Sequence, residues 1–370
     1  MSRICIIADT PYQLLNAINY YIQVERRSTK ADLYVELKYE SSKEIVKRIQ
    51  QADLFDKVIF FENDVSEAEK NKNALYSIKR FIEVAIPGLR VKHCLKPAFT
   101  VCKNNYSKII CFSGIEFTIA MIRINNNADV ILLDEGNASV VSKNPLIDQY
   151  KRTMGKMEFI YRMAGLKLEK LDVSSLFLYN PSLYSFKEKE FEVKKLPSLN
   201  CNNKLTTDII SMIFGGFIDD EYTDKHIIYL AQPLDNMVCD YIDIEKRIAK
   251  VLKEYDRYSI VRLHPALKNI NFYDIDIDKK QLMWELLCSN YVDEDSILIA
   301  YSSSAQLSPK TVYDKEPNIV FTYKLYTQTM EERSSCDQSV LNLKGIYRNQ
   351  GKIYVPDSID EFNNILNRLG

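Results

Sequence analysis

Tyr258-Ser259-Ile260-Val261-Arg262-Leu263-His264-Pro265 decides how the chain is read. Tyr258 to Leu263 reads as a buried strand, His264 follows at its end, and the chain then turns. Pro265 has no N–H to give to a ladder and holds the preceding residue extended, so the imidazole is expected at the carboxyl edge of a sheet. In open α/β sheets that edge is where ligands bind. A loop histidine that only caps or packs is the plain alternative, so the choice depends on what the other strand ends carry.

Around this stretch the second half of the chain alternates strand and helix. His226–Ala231 reads as a strand opening into Gln232-Pro233-Leu234-Asp235, with a helix over Ile242–Tyr255 and another over Gln281–Cys288. Ser296–Ala300 is a strand that runs into Tyr301-Ser302-Ser303-Ser304-Ala305. Three hydroxyls where a strand gives way to a helix suit a phosphate, because hydroxyls and helix N-terminal amides both donate to anions. Serines also cap helices with nothing bound. Asn318–Phe321 and Lys352–Val355 complete the strands. Asp357–Gly370 is an amphipathic helix with a Ser358/Glu361 capping box, and its stripe of Ile359, Phe362, Leu366 and Leu369 must be buried on the first domain or on another subunit.

The first half follows the same grammar. Arg3–Ala8 is a continuous apolar run, as expected of a central parallel strand covered on both faces. Asp9-Thr10-Pro11 ends it; Thr10 can cap, Pro11 suits the first helical position, and Leu14, Leu15, Ile18 and Ile22 recur at helical spacing. Asp32–Leu37, Val58–Phe61, Lys108–Phe112 and Asp129–Leu133 are further strands, with helices beginning near Ser41, over Ser66–Ile86, over Ile115–Ile124 and through most of Pro145–Ala164. This alternation predicts a doubly wound α/β domain. The strand at 129–133 ends in Asp134-Glu135-Gly136, where a carboxylate can be aimed into a cleft and the glycine permits a tight turn, although a plain acidic turn has the same sequence. Lys187–Asn203 is rich in Lys, Asn, Ser and Pro with poor periodicity and reads as the interdomain crossing.

Composition bounds the chemistry. A chain of 370 residues is too long for one ordinary core and suits two domains. Its net charge of −1 gives no basic field for nucleic acid. Eight cysteines without a C-x-x-C pair read as thiols of a reducing cytoplasm. The strand at the very start leaves no room for a signal peptide, and no apolar run approaches a membrane span, so membrane contact is expected to be peripheral at most. Ten glycines form neither a G-x-G-x-x-G nor a Walker loop. Asp274-Ile275-Asp276-Ile277-Asp278 lacks the glycine and distal glutamate of a calcium loop and reads as a surface acidic segment. With histidine only at 93, 226 and 264, a histidine metal cluster is not expected. What remains is an acid, a histidine and hydroxyls at strand ends. That set suits group transfer in which a carboxylate takes a proton from an incoming hydroxyl, a histidine assists a departing phosphate, and hydroxyls hold that phosphate.

Thr10-Pro11-Tyr12-Gln13-Leu14-Leu15, Asp134-Glu135-Gly136, His264-Pro265 and Ser302-Ser303-Ser304 stand in the order found in bacterial sialyltransferases, and the chain resembles glycosyltransferase family 52 over nearly its whole length. The resemblance implies an α/β fold of GT-B type, two Rossmann-like domains facing a central cleft, with CMP-sialic acid held mainly by the second. It implies His264 as general acid or cationic partner at the CMP phosphate, Ser303 with Ser302 and Ser304 as phosphate ligands, Pro265 beside them, and Glu285 at the nucleoside hydroxyls. The general base is Asp235 or Asp134, with Asp235 preferred; Glu135, Gly136, Thr10 and Gln13 accompany the acceptor-side motif. No cofactor or metal is expected.

The expected organisation is an N-terminal acceptor-side domain over 1–190, a linker over 191–225, a CMP-sugar-binding domain over 226–356 and the terminal helix over 357–370. The resemblance implies an inverting transferase acting on terminal galactose of a lipooligosaccharide or capsule glycan, located in the cytoplasm or at the inner face of the cell membrane, and makes a homodimer reasonable. Two other readings stand beside it. One is a GT-B transferase or epimerase using a UDP-sugar or another nucleotide sugar, and the other a non-catalytic component of a polysaccharide assembly complex.

Overall fold

The structure, a computed structural model, describes residues 3–25, 29–36, 40–62, 74–95, 106–112, 115–140, 142–154, 158–167, 171–184, 186, 191–199, 204–216, 219–234, 240–264, 267, 274–280 and 282–370. The chain divides into two compact units, Met1–Phe214 and Gly215–Gly370.

In the first unit β1 (Arg3–Ala8), α1 (Pro11–Gln23), β2 (Lys30–Glu36), α2 (Glu40–Gln51) and β3 (Lys57–Phe61) are followed by α3 (Ala74–Ala85) and α4 (Pro87–Cys94). Then come β4 (Lys108–Cys111), α5 (Glu116–Ile124), β5 (Asp129–Leu133), α6 (Asn137–Val140), α7 (Pro145–Met154), α8 (Glu158–Met163), β6 (Ser175–Leu178), β7 (Glu192–Lys195) and α9 (Lys204–Phe214). The seven strands form one sheet in the order β3-β2-β1-β4-β5-β6-β7, and every pair is parallel. Parallel strands need crossovers that cover both faces, which is why Ile4 to Ala8 and Ile109 to Cys111 are wholly buried. The winding reverses between β1 and β4.

In the second unit β8 (Ile227–Ala231), α10 (Tyr241–Lys253), β9 (Ser259–Leu263), α11 (Trp284–Tyr291), β10 (Ile297–Ala300), α12 (Ser308–Tyr313), β11 (Asn318–Phe321), α13 (Met330–Ile346), β12 (Ile353–Tyr354) and α14 (Ile359–Leu369) follow in order. Their sheet runs β12-β11-β10-β8-β9, again wholly parallel, and reverses its winding between β8 and β10.

Several expectations change. Within 191–225, the span expected as the linker, β7 pairs with β6, and α9 packs on α1 and α2 before Gly215, at φ +88, ends the helix. β7 sits at the sheet edge, where Glu192 and Lys195 are exposed, so the lysines that argued against a strand are what an edge strand carries. The terminal helix α14 belongs to the second unit, burying Phe362, Ile365 and Leu366 as it packs against α10. The helix expected over 66–86 is described from Ala74 and stops at Ala85, ahead of Pro87; residues 66–73 lie outside the described residues. Among the described residues Cys5, Cys94, Cys111, Cys288 and Cys336 are buried. Among the described residues no helix is long and apolar enough to cross a membrane.

Candidate functional site

The motif residues gather at the carboxyl edges of the two sheets, one cluster in each unit.

In the first unit Thr10 caps α1, its Oγ1 accepting the Gln13 amide at 3.2 Å. Gln13 is buried; its Oε1 accepts the Asp9 amide at 2.9 Å, and its Nε2 donates to Glu135 Oε1 at 2.8 Å. The loop after β1 is thereby tied to the loop after β5. Asp134 is also buried, and its carboxylate accepts the amides of Gly136 at 2.7 Å and Tyr179 at 3.0 Å. Gly136 stands at φ +86, where a β-carbon would be strained, so the turn that lets its amide reach Asp134 suits glycine. Burial raises the Asp134 pKa to about 6, against the lowering effect of those two amides. Two residues that pattern alone did not single out complete the support: buried Asn16 donates to Asp134 O at 2.8 Å and accepts the Tyr179 hydroxyl at 2.7 Å.

In the second unit three adjacent strand ends supply the cluster. β9 delivers His264 to the sheet edge, where its amide still donates to Ala231 O at 3.1 Å, extending the β8–β9 ladder by one bond. The residue is exposed, yet burial of its ring by neighbouring groups lowers the imidazole pKa below the ordinary value. β10 delivers the serines. Ser303 Oγ accepts the Ala305 amide at 3.3 Å, and its own amide donates to Gln306 Oε1 at 3.2 Å, a capping box on the short helical turn of Ser304–Gln306. Capping uses the lone pairs of the Ser303 hydroxyl and leaves its hydrogen available as a donor. Ser302 is half-buried and Ser304 exposed.

Between them, at the end of β8, lies Gln232. Its Oε1 accepts the Ser302 amide at 3.0 Å and its Nε2 donates to Ser302 O at 3.4 Å. This pair spans the point where the winding reverses, the position at which open α/β sheets bind ligands.

Arg262, two residues before His264 and so on the same face of β9, pairs with fully buried Asp278 and donates to Leu282 O. Its guanidinium lies 5.9 Å from the Trp284 ring, and Trp284 Nε1 donates to Ala305 O at 2.8 Å, fastening α11 to the serine loop. Glu285 is half-buried, and Ser308 Oγ donates to it at 3.5 Å. Burial raises its pKa, opposed by a backbone hydrogen bond, the charge of Arg262 and Ser308. Asp235 and Pro265 lie outside the described residues.

Asp278, grouped by sequence with a surface acidic run, is buried and brings a carboxylate oxygen within 4.8 Å of those of Asp219 and Glu221. Asp219 already accepts Lys280 Nζ at 2.9 Å, and Asp278 accepts both Arg262 and the Tyr222 hydroxyl, so cationic groups of the protein occupy this cluster.

No protein-family model and no curated protein matches the chain. Solved structures match it by shape. The glycotransferase of kitacinnamycin aligns with a TM-score of 0.54 at 8% identity, covering 100% of this chain and 90% of that one. Arabidopsis thaliana UGT89C1 complexed with UDP gives 0.53 at 10% identity over 99% and 89%. A structure attributed to a UDP-N-acetylglucosamine 2-epimerase of Listeria monocytogenes gives 0.52 at 8% identity over 99% and 87%. Identities this low speak to the fold alone, and the fold is α/β of GT-B type, with two parallel Rossmann-like sheets.

Proposed function

We propose that this protein is a GT-B glycosyltransferase that takes its sugar from a nucleotide donor, with the donor phosphate at the ends of β8, β9 and β10. The observation that carries the reading is the adjacency of Gln232, His264 and Ser302 to Ser304 at the reversal of the second sheet. Hydroxyl donors and an imidazole suit a phosphate that gains charge as the sugar leaves.

The finer reading is transfer of sialic acid from CMP-sialic acid, and the four motifs that resemble family 52 support it. An acceptor hydroxyl loses its proton to Asp235 or Asp134 while its oxygen bonds to the anomeric carbon. The bond from that carbon to the phosphate oxygen breaks, its electron pair leaves with CMP, His264 gives a hydrogen bond or proton to that oxygen, and configuration inverts. Asp134 can hold a proton near neutrality, as a base must, but two amides donate to its carboxylate and weaken it as a base. That favours Asp235. The leaving phosphate is already activated, so turnover in excess chelator is expected.

Use of a UDP-sugar is the second reading, favoured by the fold shared with Arabidopsis thaliana UGT89C1, whose structure holds UDP. A donor panel with a lactose-type acceptor tests both: CMP release from CMP-sialic acid supports sialyl transfer, and UDP release from UDP-sugars moves the assignment to that donor. Tight nucleotide binding without turnover of any donor overturns catalysis and leaves a binding component.

A further inference from the structure

We propose that the outer face of α3, α4 and α8 is a docking surface for an anionic lipid bilayer. On α3 and just beyond it, Ile78, Ile82 and Ile86 recur every fourth residue, so they fall along one side, and all three are exposed. Leu89 on α4 is exposed beside them. α8 packs beside α3 and presents Phe159 and Met163, four residues apart, 71% and 67% exposed. These six are nearly half of the thirteen exposed large apolar side chains among the described residues, so the apolar surface is concentrated rather than scattered.

The exposed charges among the described residues of these segments have one sign. Residues 74–94 contain four Lys or Arg against one acid, and residues 145–170 six against three, in a chain whose net charge is −1. Lys79, Lys92, Lys151, Arg162 and Lys167 are exposed. The acids among the described residues there are occupied: Glu83 is buried against Arg90 and His93, Glu158 pairs with Arg162, and Asp148 accepts from Ser142. A face that alternates Lys and Arg with Phe, Ile and Met matches a layer of anionic headgroups over an acyl interior. A second copy of this chain is disfavoured, because a symmetric contact would set like charges against each other. This inference is independent of the proposed chemistry, since its readout is binding and not turnover.

The test is co-sedimentation of the full chain with vesicles of phosphatidylcholine, alone and with added phosphatidylglycerol. Binding is expected only to the mixed vesicles, falling with salt and by about fivefold for each charge removed in Lys79→Gln and Lys167→Gln. Phe159→Glu and Ile82→Glu, at exposed positions, are expected to abolish binding, with an unchanged circular dichroism spectrum showing that they fold. No binding to the mixed vesicles, or binding untouched by all four variants, overturns the proposal. So does a concentration-dependent dimer in sedimentation velocity that Phe159→Glu dissolves without any vesicle binding.

Discussion

Gln232 and Ser302 hold each other by side chain and main chain in both directions: Gln232 Oε1 accepts the Ser302 amide at 3.0 Å, and Gln232 Nε2 donates to Ser302 O at 3.4 Å. The clasp joins the loops after β8 and β10 at the floor of the reversal point. Gln232→Leu removes both bonds, each of about 1 kcal/mol, and frees the serine loop before the donor arrives. Steady-state kinetics are expected to show donor KM rising about tenfold, with a smaller change in kcat. A fall in kcat with KM unchanged would contradict a role in shaping the donor site.

Burial penalises the His264 imidazolium in the free protein and lowers its pKa below the ordinary value. A bound phosphate is an anion and favours the charged form, so nucleotide binding must raise that pKa. With three histidines in the chain, NMR can follow the ring, assigned by its loss in His264→Gln. Titration below the ordinary value in the free protein, moving upward with CMP or UDP, is the expected result.

Asp134 links the first cluster to stability. Its folded pKa, about 6, lies above the unfolded 3.8, so the native state binds the proton more tightly. Its favourable contribution is therefore complete below the unfolded value and is lost as pH rises through about 6, by at most ~3 kcal/mol. Urea denaturation of the unaltered protein and Asp134→Asn at pH 4 and pH 7 checks the sign. The unaltered protein should lose stability relative to the variant on going to the higher pH.

Arg262 holds a different kind of charge. Asp278 is fully buried, and Arg262 is the cation paired with it, alongside a hydrogen bond from the Tyr222 hydroxyl. Arg262→Met is expected to destabilise the second unit by about 3–5 kcal/mol, and adding Asp278→Asn to recover part of the loss, both read from denaturant midpoints.

Much of this was legible in sequence, and what was not has physical reasons. Thr10, Pro11 and the apolar turns of α1 announce their strand–turn–helix unit, and His264-Pro265 announces a strand end. β6 and β7 escaped because each has four residues and β7 is a lysine-bearing edge. Asn16 and Asn19 escaped because α1 is buried on nearly every side, and its polar residues meet Tyr179, Asp134 O and Pro197 O where a pattern reading looks for apolar ones. Gln232 carries no motif; its role depends on β8 and β10 being neighbours, which sequence order conceals. Arg262 could have been found, since an arginine inside an apolar strand needs a buried partner.

The most direct test of the central claim compares acceptor-dependent nucleotide release by the unaltered protein and by His264→Ala, in excess chelator, with the donor that the panel identifies. Release is expected to require acceptor, to survive chelation and to fall about 100-fold or more in the variant. Full turnover by His264→Ala, or no release from any nucleotide sugar by the unaltered protein, would contradict that claim.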